Sequence, residues 1–406
     1  MAFFVQDQAD TLWKLHHANP DYETYLSFLQ GPLNDFITRE IAPRAAANDA
    51  EEVFNEDMFR MLGELGFLAL SFPEKFGGAE ACFSFYNAGL ESLAKADAGF
   101  ALGVGIHGTM TEGIARYGSD ELRMQYVPDL ISGKRIGAFA LSEAGSGSDA
   151  KAMKTTWRRD PATGGYILNG TKYWITNGMS ADVFFVMARG EDGRISAFVV
   201  EKGWKGTFEC NKIQDKMGVR SSNTAELIFD NYHVPAGHMV GEEGRGFNYA
   251  MLMLNSGRIT IASWSVGIAQ GALEKLLKYA HEREMFGRLL KDLDNVKREC
   301  AEMAVEIAAS RALAYDTAFF KSQGRDIIKR AAMAKFKASE MSVRVCERAI
   351  QLSGGYGYVQ DSRIERHLRD ALLARIGEGA NEVLSCVVIP RALYKEFEKQ
   401  EPPPLW

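Results

Sequence analysis

The feature that most constrains the fold is a long stretch of the chain without proline. No proline occurs between Pro235 and Pro390, and apolar residues recur there at helical spacing. Long patterns without internal stop signals are more typical of a helical bundle than of short globular helices. The sequence therefore predicts a C-terminal four-helix bundle domain, which we place over residues 243–406. The segments that carry the pattern are 247–282, 289–322 and 327–352.

The first third of the chain also has apolar residues at helical spacing, with interruptions expected near Gly118 and Pro128. Residues 103–108 match the dinucleotide-binding pattern G-x-G-x-x-G. That pattern requires a preceding strand, but the residues before it look helical, so we reject it and expect a glycine-rich bend between two helices. We predict an N-terminal all-α domain over residues 1–135.

The middle third changes character, because short runs of β-branched and aromatic residues alternate with polar turns. Residues 166–175 predict two strands joined by a turn at Asn169-Gly170. The absence of crossover helices favours an antiparallel barrel or sandwich, placed over residues 136–242. The chain is thus expected to be mainly α with a central β domain. The other strands are predicted at 183–187, 196–200 and 225–229.

The totals exclude several classes of protein. A net charge of -6 argues against general nucleic-acid binding. Five scattered cysteines suggest reduced thiols inside a cell. The first ten residues lack a secretory signal, and no apolar run is long enough for a membrane helix. We therefore expect a cytoplasmic protein, or a mitochondrial matrix protein if it is eukaryotic. The proline run at 402–404 predicts an extended tail.

Two glycine-rich segments have the composition of a ligand site. Glu378 stands in R-I-G-E-G-A-N-E, where small neighbours allow a ligand close to the backbone and a carboxylate can act as a base. A single glutamate in a turn is more often solvated. Residues 140–152, A-L-S-E-A-G-S-G-S-D-A-K-A, offer many donors to a polar ring system. On its own, this second run fits a flexible linker equally well.

Residues 140–152 and four other segments resemble, in family order, motifs of the acyl-CoA dehydrogenase family. Residues 140–152 are similar to its first signature, and residues 351–370, from Gln351 to Asp370, are similar to its second. The resemblance spans nearly the whole chain and agrees with the order of helices, strands and helices. The supporting motifs are 169–177, 216–224 with Val234-Pro235 after it, and 283–287.

The resemblance implies an FAD cofactor, with contacts from two parts of the chain. Ser142 would hydrogen-bond the pyrimidine end of the flavin, Trp174 would pack on the ring, and Thr176 would lie near N5. Arg283 and Phe286 would reach the FAD of a neighbouring subunit, where a guanidinium suits a pyrophosphate. Alone, Trp174 would be a strand-core aromatic and Arg283 a surface residue. The remaining implied FAD contacts are Phe139, Leu141, Gly147, Ser148, Gln351, Gly354 and Gly355.

The resemblance also implies the reaction, which is α,β-dehydrogenation of an acyl-CoA thioester to the trans-2-enoyl-CoA. Glu378 would remove the α-proton, and the β-hydrogen would leave as hydride to flavin N5. The backbone N–H of Glu378 and a ribityl hydroxyl would hold the thioester oxygen. Family members with the base on another helix place it where this chain has Gly257, so Glu378 is the candidate. Implied substrate contacts are Ser148, Met251, Leu254, Asn255, Arg258, Gly377 and Gly379.

The chain departs from the family pattern beside the base. Gly377 and Ala380 stand where tyrosine and threonine are usual. Losing the aromatic ring at Gly377 should open space for a branched or bulky acyl group. Losing the hydroxyl at Ala380 removes a possible flavin contact. Lys297 and Asp294 replace usual glutamines, which could alter FAD affinity.

The resemblance further implies a role in fatty acid metabolism by β-oxidation, a homotetramer, and an electron-transfer flavoprotein as the electron acceptor. One alternative is a flavin oxidase or monooxygenase of the same fold. Another is a dehydrogenase of acyl groups bound to a carrier protein. A flavin-bearing protein that touches DNA is disfavoured by the acidic charge. Histidine spacing gives no sign of a metal site.

Overall fold

The computed structural model describes residues 2–398, which divide into two compact units. The helical unit comprises the described parts of Met1–Thr38, Cys82–Ala98 and Arg258–Trp406. The sheet unit comprises Arg39–Ala81 and Gly99–Gly257. The tail expected at 402–404 lies outside the described residues.

The helices follow the predicted order. In the chain they are α1 (Gln6–His16), α2 (Tyr22–Phe28), α3 (Asn34–Phe36), α4 (Ala45–Glu51), α5 (Glu56–Glu64), α6 (Phe83–Ala96), α7 (Ala98–Tyr117), α8 (Asp120–Ile131), α9 (Gly246–Glu282), α10 (Asp294–Ser322), α11 (Ile328–Ser353), α12 (Gly355–Tyr358), α13 (Ile364–Leu373), α14 (Asn381–Val383) and α15 (Ile389–Glu398). Wider π-helical turns occur at Leu29–Leu33, Ile37–Ile41 and Leu384–Val388.

The three long helices predicted from the proline-free stretch are confirmed as α9, α10 and α11. The last residue of each helix lies within two residues of its predicted position. The helix interruption predicted near Gly118 is confirmed, because Gly118 lies between α7 and α8. The break expected at Pro128 was wrong, because α8 continues to Ile131. Its last turn buries Leu130 and Ile131 in the core, and this packing offsets the hydrogen bond that proline removes.

The glycines of residues 103–108 lie inside α7, so the predicted bend between two helices was wrong, while the rejection of a dinucleotide site stands. Gly103 shows why glycine is needed there. A Cβ on Gly103 would lie 2.7 Å from Phe54 Cε2 and 2.8 Å from Asn177 Oδ1. The helix accepts this weak helix former because other parts of the sheet unit pack directly on its backbone.

The central sheet is mixed and mostly antiparallel, with the order β6-β7-β3-β2-β4-β5-β8 and with β1 pairing in parallel to β4. A short hairpin, β9 and β10, lies in the helical unit. The strands are β1 (Gly137–Ala140), β2 (Thr156–Arg159), β3 (Tyr166–Thr176), β4 (Val183–Arg189), β5 (Ile195–Glu201), β6 (Thr207–Lys212), β7 (Thr224–Val234), β8 (Met239–Val240), β9 (Glu284–Met285) and β10 (Arg288–Leu289).

The hairpin turn predicted at Asn169-Gly170 was wrong, because β3 runs through both residues and pairs with β7 along its length. A two-residue turn of type I′ needs positive φ at both positions. Here Gly170 has φ 139° and marks a register shift, while Asn169 Oδ1 accepts a hydrogen bond from Asn231 N at 2.8 Å. Long-range pairing with β7 therefore prevails over the local turn signal.

The central strands are buried on both faces, which explains their continuous apolar sequences. Phe185 of β4 and Val199 of β5 face one core, with helix residues such as Ile114. Phe184 and Val200, the neighbouring pair in register, face a second core inside the sheet. Because side chains alternate along a strand, each strand supplies both cores. Among residues 2–398, no helix is long and apolar enough to cross a membrane.

Candidate active site

Glu378 lies in a loop between α13 and α14 that has an unusual backbone. Glu378 has φ 54° and Gly379 has φ 97°, so two consecutive residues are left-handed. Glycine adopts this conformation freely, but a side chain at Glu378 makes it strained. The loop is closed by Asn381 N donating to Arg375 O at 2.9 Å. Strained backbone of this kind is concentrated at functional sites and aims the carboxylate in a fixed direction.

One oxygen of the Glu378 carboxylate, Oε2, has no hydrogen-bond partner within residues 2–398. The residue as a whole is half-buried, but its Oε2 atom is fully buried and no residue between 2 and 398 donates to it. Burial raises the pKa of Glu378 from 4.5 to about 7, against the positive charges of Arg258 and Lys335, which lower it. A carboxylate with a pKa near neutrality is suited to accept a proton.

Two buried cations flank this loop. Arg258 of α9 donates from Nε to Glu378 O at 3.4 Å. Lys335 of α11 has no exposed surface, and its Nζ donates to Gly379 O at 2.7 Å and to Asn381 Oδ1 at 2.8 Å. Burial lowers the pKa of Lys335 to about 7. The sequence predicted Glu378 and Arg258 as site residues, and the structure brings them together.

Sequence reasoning missed Lys335, although a signal for it exists. Ala331, Ala332 and Ala338 lie one turn away on the same helix and are buried. Residues three and four apart share a helix face, so a lysine on this small-residue face must be buried. A buried lysine requires acceptors, and in this structure the base loop supplies them.

A second group of predicted residues lies in the sheet unit, at the end of β1. The side chains of Phe139 and Leu141 pack into a core, and the Leu141 carbonyl accepts a hydrogen bond from Lys172 Nζ at 3.1 Å. Ser142 follows, and its carbonyl accepts a hydrogen bond from Tyr173 N at 2.9 Å. This bond places Ser142 directly beside the segment that carries Trp174. Gly147 and Ser148 lie in the exposed turn that follows.

Trp174 is presented to the surface of the sheet unit by a bulge in β3. Lys172 pairs with Leu227 and Ile175 with Ala225, so one extra residue is inserted between them. Trp174 has φ 64° and is 59% exposed. A positive φ at a bulky residue is a genuine outlier, and a large aromatic residue is seldom left in water by the fold alone. The bulge thus exposes a flat apolar surface next to Thr176, as a ring-shaped ligand would require.

The same strand buries an ion pair that sequence reasoning did not anticipate. Lys172 Nζ donates to Glu143 Oε1 at 2.8 Å, and both side chains are buried. Glu143 also accepts from the backbone N–H groups of Lys154 and Thr155, at 2.6 and 3.0 Å. Burial raises the pKa of Glu143, but Lys172 and these hydrogen bonds outweigh it and lower the pKa below its usual value. This carboxylate is satisfied and fixes the turn after β1.

A third group, expected to reach a neighbouring subunit, is exposed on the helical unit. Phe286 and Gly287 form the turn between β9 and β10, with φ 50° and 74°, and Phe286 is 90% exposed. Turns of this kind favour asparagine, aspartate or glycine, so the turn itself does not explain why phenylalanine stands at position 286. The rings of Tyr279, near the end of α9, and Tyr356 of α12 stack with their centroids 4.7 Å apart, which ties the end of α9 to α12. Met285 of the hairpin and Leu352 near the end of α11 pack against the same small core cluster. The residues of this region that the resemblance implies are Arg283, Phe286, Gln351, Gly354 and Gly355.

The predicted substrate residues Met251, Leu254, Asn255 and Arg258 recur every three or four positions along α9 and so share one face of it. Gly377 precedes the base and has open space beside it. A Cβ there would have only ordinary contacts, with Leu373 O at 3.6 Å and Leu373 Cγ at 3.9 Å.

Comparison with known proteins places the chain in a family. The acyl-CoA dehydrogenase N-terminal, middle and C-terminal domain families match residues 28–134, 138–232 and 244–393. An acyl-CoA dehydrogenase of Bacillus subtilis is 39% identical over 361 residues, which are 88% of this chain and 94% of the relative.

Solved structures agree with this result. Butyryl-CoA dehydrogenase from Megasphaera elsdenii has a TM-score of 0.87 and 35% identity, covering 96% of this chain and 98% of its own. An acyl-CoA dehydrogenase from Bacillus anthracis complexed with FAD has a TM-score of 0.87 and 31% identity, covering 94% of this chain and 68% of its own. The fold, the three matched domains and these relatives define a flavoprotein oxidoreductase. The chain belongs to the acyl-CoA dehydrogenase family, and the predicted three-part fold is confirmed.

Proposed function

We propose that this protein is an FAD-dependent acyl-CoA dehydrogenase that converts an acyl-CoA thioester to the trans-2-enoyl-CoA. The observation that carries the proposal is Glu378, a buried carboxylate whose Oε2 has no partner within residues 2–398 and whose pKa is raised to about 7. The names of the Bacillus subtilis and Megasphaera elsdenii relatives support the same reaction.

The residues of both units fit FAD. Trp174 presents an exposed flat surface beside Thr176, and Ser142 is tied to the same bulge. Gly147 lies in a turn where an added Cβ would meet nothing within 4 Å, so a ligand can approach the backbone. Arg283 and Phe286, with Gln351, Gly354 and Gly355, are assigned to the cofactor of a neighbouring subunit. When bound, FAD supplies the acceptor for the two electrons that the substrate loses.

Glu378 carries the proton chemistry in this proposal. Its carboxylate takes the α-proton, while the β-hydrogen leaves with its electron pair, so the thioester loses two hydrogens and gains one double bond. The left-handed backbone at Glu378 holds its N–H for the thioester oxygen, where negative charge develops. A substrate that displaces water keeps the pKa of the base close to that of its proton donor.

Substrate binding is assigned to one face of α9 and to the glycines beside the base. Met251 and Leu254 provide apolar surface, and Asn255 and Arg258 provide polar groups for the CoA portion, together with Ser148 of the sheet unit. Gly379 keeps the loop beside the thioester free of side chain.

The space beside Gly377 suggests the class of acyl group, which is branched or bulky. We expect Gly377→Tyr to lower the ratio of kcat/KM for isobutyryl-CoA to that for butyryl-CoA by about tenfold or more, since a ring would fill this space. Ile376→Tyr is the control, because it introduces the same ring at an exposed neighbouring position. An unchanged ratio in Gly377→Tyr would reject the substrate class while leaving the reaction intact.

The proposal extends to assembly, acceptor and compartment. The assignment of Arg283 and Phe286 to another subunit's cofactor requires an oligomer, for which a homotetramer is the proposed form. An electron-transfer flavoprotein is the proposed acceptor. The five cysteines have free thiols, consistent with a reducing compartment such as the cytosol. We propose residues 1–135, 136–242 and 243–406 as the functional domains.

The test is an anaerobic visible spectrum of the purified protein during addition of linear and branched acyl-CoAs, with Glu378→Gln measured alongside. Bleaching of the flavin band by one acyl class, absent in Glu378→Gln, supports the proposal. A flavin that acyl-CoA does not bleach but a carrier-bound acyl group does would favour the carrier-protein alternative. Reoxidation by oxygen that is faster than reoxidation by an electron-transfer flavoprotein would favour an oxidase.

A further inference from the structure

Helix α11 attaches the loop that carries Glu378 through three side chains on one face. Lys335 Nζ donates to Gly379 O and Asn381 Oδ1, one residue and three residues beyond the base. Ser339, one turn later, exchanges hydrogen bonds with the Asn381 side chain at 2.9 and 3.2 Å. Glu340 accepts from Asn381 Nδ2 at 2.7 Å. Helix α11 therefore holds the loop by hydrogen bonds immediately after the strained residue, Glu378.

The start of the loop is held by the same helix. Arg375 forms a two-pronged ion pair with Glu340, with distances of 3.1 and 2.7 Å. The loop from Arg375 to Asn381 is thus fastened at both ends, and the two left-handed residues lie between the fastenings. A strained conformation persists only where surrounding contacts over-determine it.

The contact at Gly379 is the nearest of these to the base. The Gly379 carbonyl accepts its hydrogen bond from a fully buried ammonium, and a hydrogen bond to a charged group is stronger than one between neutral groups. Since Gly379 is the next residue after Glu378, this bond limits rotation of the peptide that leaves the base. A neutral side chain in this place would lose the stronger bond.

The charges that face Lys335 come from every element around it. Glu378 lies in the loop, Glu382 in α14 and Glu340 on α11 itself, and all three favour the ammonium. Arg258 of α9 opposes it. Because Glu340 is already paired with Arg375 and Glu382 is exposed, Glu378 is the carboxylate whose charge Lys335 most directly balances.

We infer that Lys335 is a positioning residue for the proposed base: its ammonium fixes the Glu378 loop through the Gly379 carbonyl, and its charge favours the ionised carboxylate. The inference rests on the proposed function. We assign Lys335 no contact with substrate or cofactor, so its effect on the reaction passes through Glu378.

The experiment compares Lys335→Met and Lys335→Gln with the wild-type holoenzyme. Lys335→Met removes charge and donor, whereas Lys335→Gln keeps a donor for Gly379 O. The readouts are the pH dependence of kcat/KM with butyryl-CoA, the FAD content and the thermal midpoint. Lys337→Met is the matched control, because Lys337 lies on the same helix and pairs with Glu306 at the surface.

We expect both variants to move the rising limb of the pH profile upward by about one pH unit or more, since loss of a positive charge raises the pKa of the base. Lys335→Met should also lose about tenfold or more at the high-pH plateau, while Lys335→Gln should lose less there. Lys337→Met should leave the profile unchanged.

A wild-type profile in Lys335→Gln, at full FAD content, overturns the inference, and so does a loss of rate in Lys335→Met that is accounted for entirely by lost flavin. If Lys335→Met does not fold, Lys335→Gln alone decides. Failure of the proposed function is a different result, since the wild-type flavin would then not be bleached by any acyl-CoA.

Discussion

The molecule contains two sites at which a buried lysine lies near a glutamate, and the two lysines hydrogen-bond differently. In the sheet unit, Lys172 binds Glu143 directly at 2.8 Å, and two backbone N–H groups complete the carboxylate. In the helical unit, Lys335 gives its hydrogen bonds to Gly379 O and Asn381 Oδ1 instead, and Glu378 Oε2 remains without a partner within residues 2–398.

The comparison shows which contacts make a buried carboxylate able to accept a proton near neutral pH. Both carboxylates lie near a buried lysine, but the pKa of Glu143 is lowered and that of Glu378 is raised to about 7. Burial raises the pKa in each case, and hydrogen bonds to the charged form decide the net direction. Lys335 lies near Glu378 but donates its hydrogen bonds to a backbone carbonyl and an amide oxygen, so the Glu378 carboxylate can still accept a proton.

The largest expected effect comes from Glu378→Gln. We expect turnover of acyl-CoA to fall by about 10²–10⁴-fold, as for the loss of a general base. The thermal midpoint should stay the same or rise, because a buried charge is replaced by a neutral group of similar shape. Stopped-flow reduction of the bound flavin and thermal unfolding measure the two quantities. A variant that melts much earlier would show that Glu378 is structural, like Glu143.

The converse change is Lys172→Met in the sheet unit. Removing one partner of a buried ion pair leaves Glu143 uncompensated and should cost about 3–5 kcal/mol of stability. The double variant Lys172→Met/Glu143→Gln should recover part of this loss, since it removes the stranded charge. Denaturant unfolding of the holoenzyme measures both. Equal stability of the single variant and the wild type would contradict the distinction between the two neighbourhoods.

The two carboxylates should also respond to pH in opposite directions. Because the pKa of Glu378 is raised, kcat/KM should rise about tenfold per pH unit below about 7 and level off above it. The stability that Glu378 contributes is full below its usual value of 4.5 and is lost as pH rises through about 7. Glu143, with a lowered pKa, contributes stability that is lost only as pH falls into the acid range. Initial rates between pH 5 and 9 and thermal midpoints between pH 3 and 9 test this, and a rate that is flat across pH 7 would contradict it.

The smallest expected effect is that of Ser339→Ala. It removes hydrogen bonds to Asn381 in the fastening of the base loop and should cost about 1 kcal/mol of stability and less than tenfold in kcat. Ser342→Ala is its control, because the Ser342 hydroxyl is also buried and donates to Ser339 O within α11. Steady-state kinetics and thermal midpoints compare the two. A larger kinetic effect in Ser342→Ala would argue against a special role for the face that holds Asn381.

Prediction from the sequence succeeded where a signal is local. The proline-free stretch predicted α9, α10 and α11, because apolar spacing along a helix does not depend on distant residues. It failed at Asn169-Gly170, where the turn preference of the dipeptide was overridden by pairing with β7. It also failed at Pro128, because core packing of α8 offset the cost of the proline.

For the candidate site, the glycine-rich setting of Glu378 and the motifs around Trp174 were visible in the sequence, and the resemblance to a known family followed from them. The sequence alone determined the types of residue present, the order of helices and strands, and a carboxylate flanked by residues small enough to admit a ligand. Tertiary structure decided the rest, since Lys172 and Glu143 are 29 positions apart and Lys335 and Gly379 are 44 apart. Which carboxylate is neutralised and which is left without a partner depends on these long-range contacts, because hydrogen-bond geometry is set only when the chain is packed.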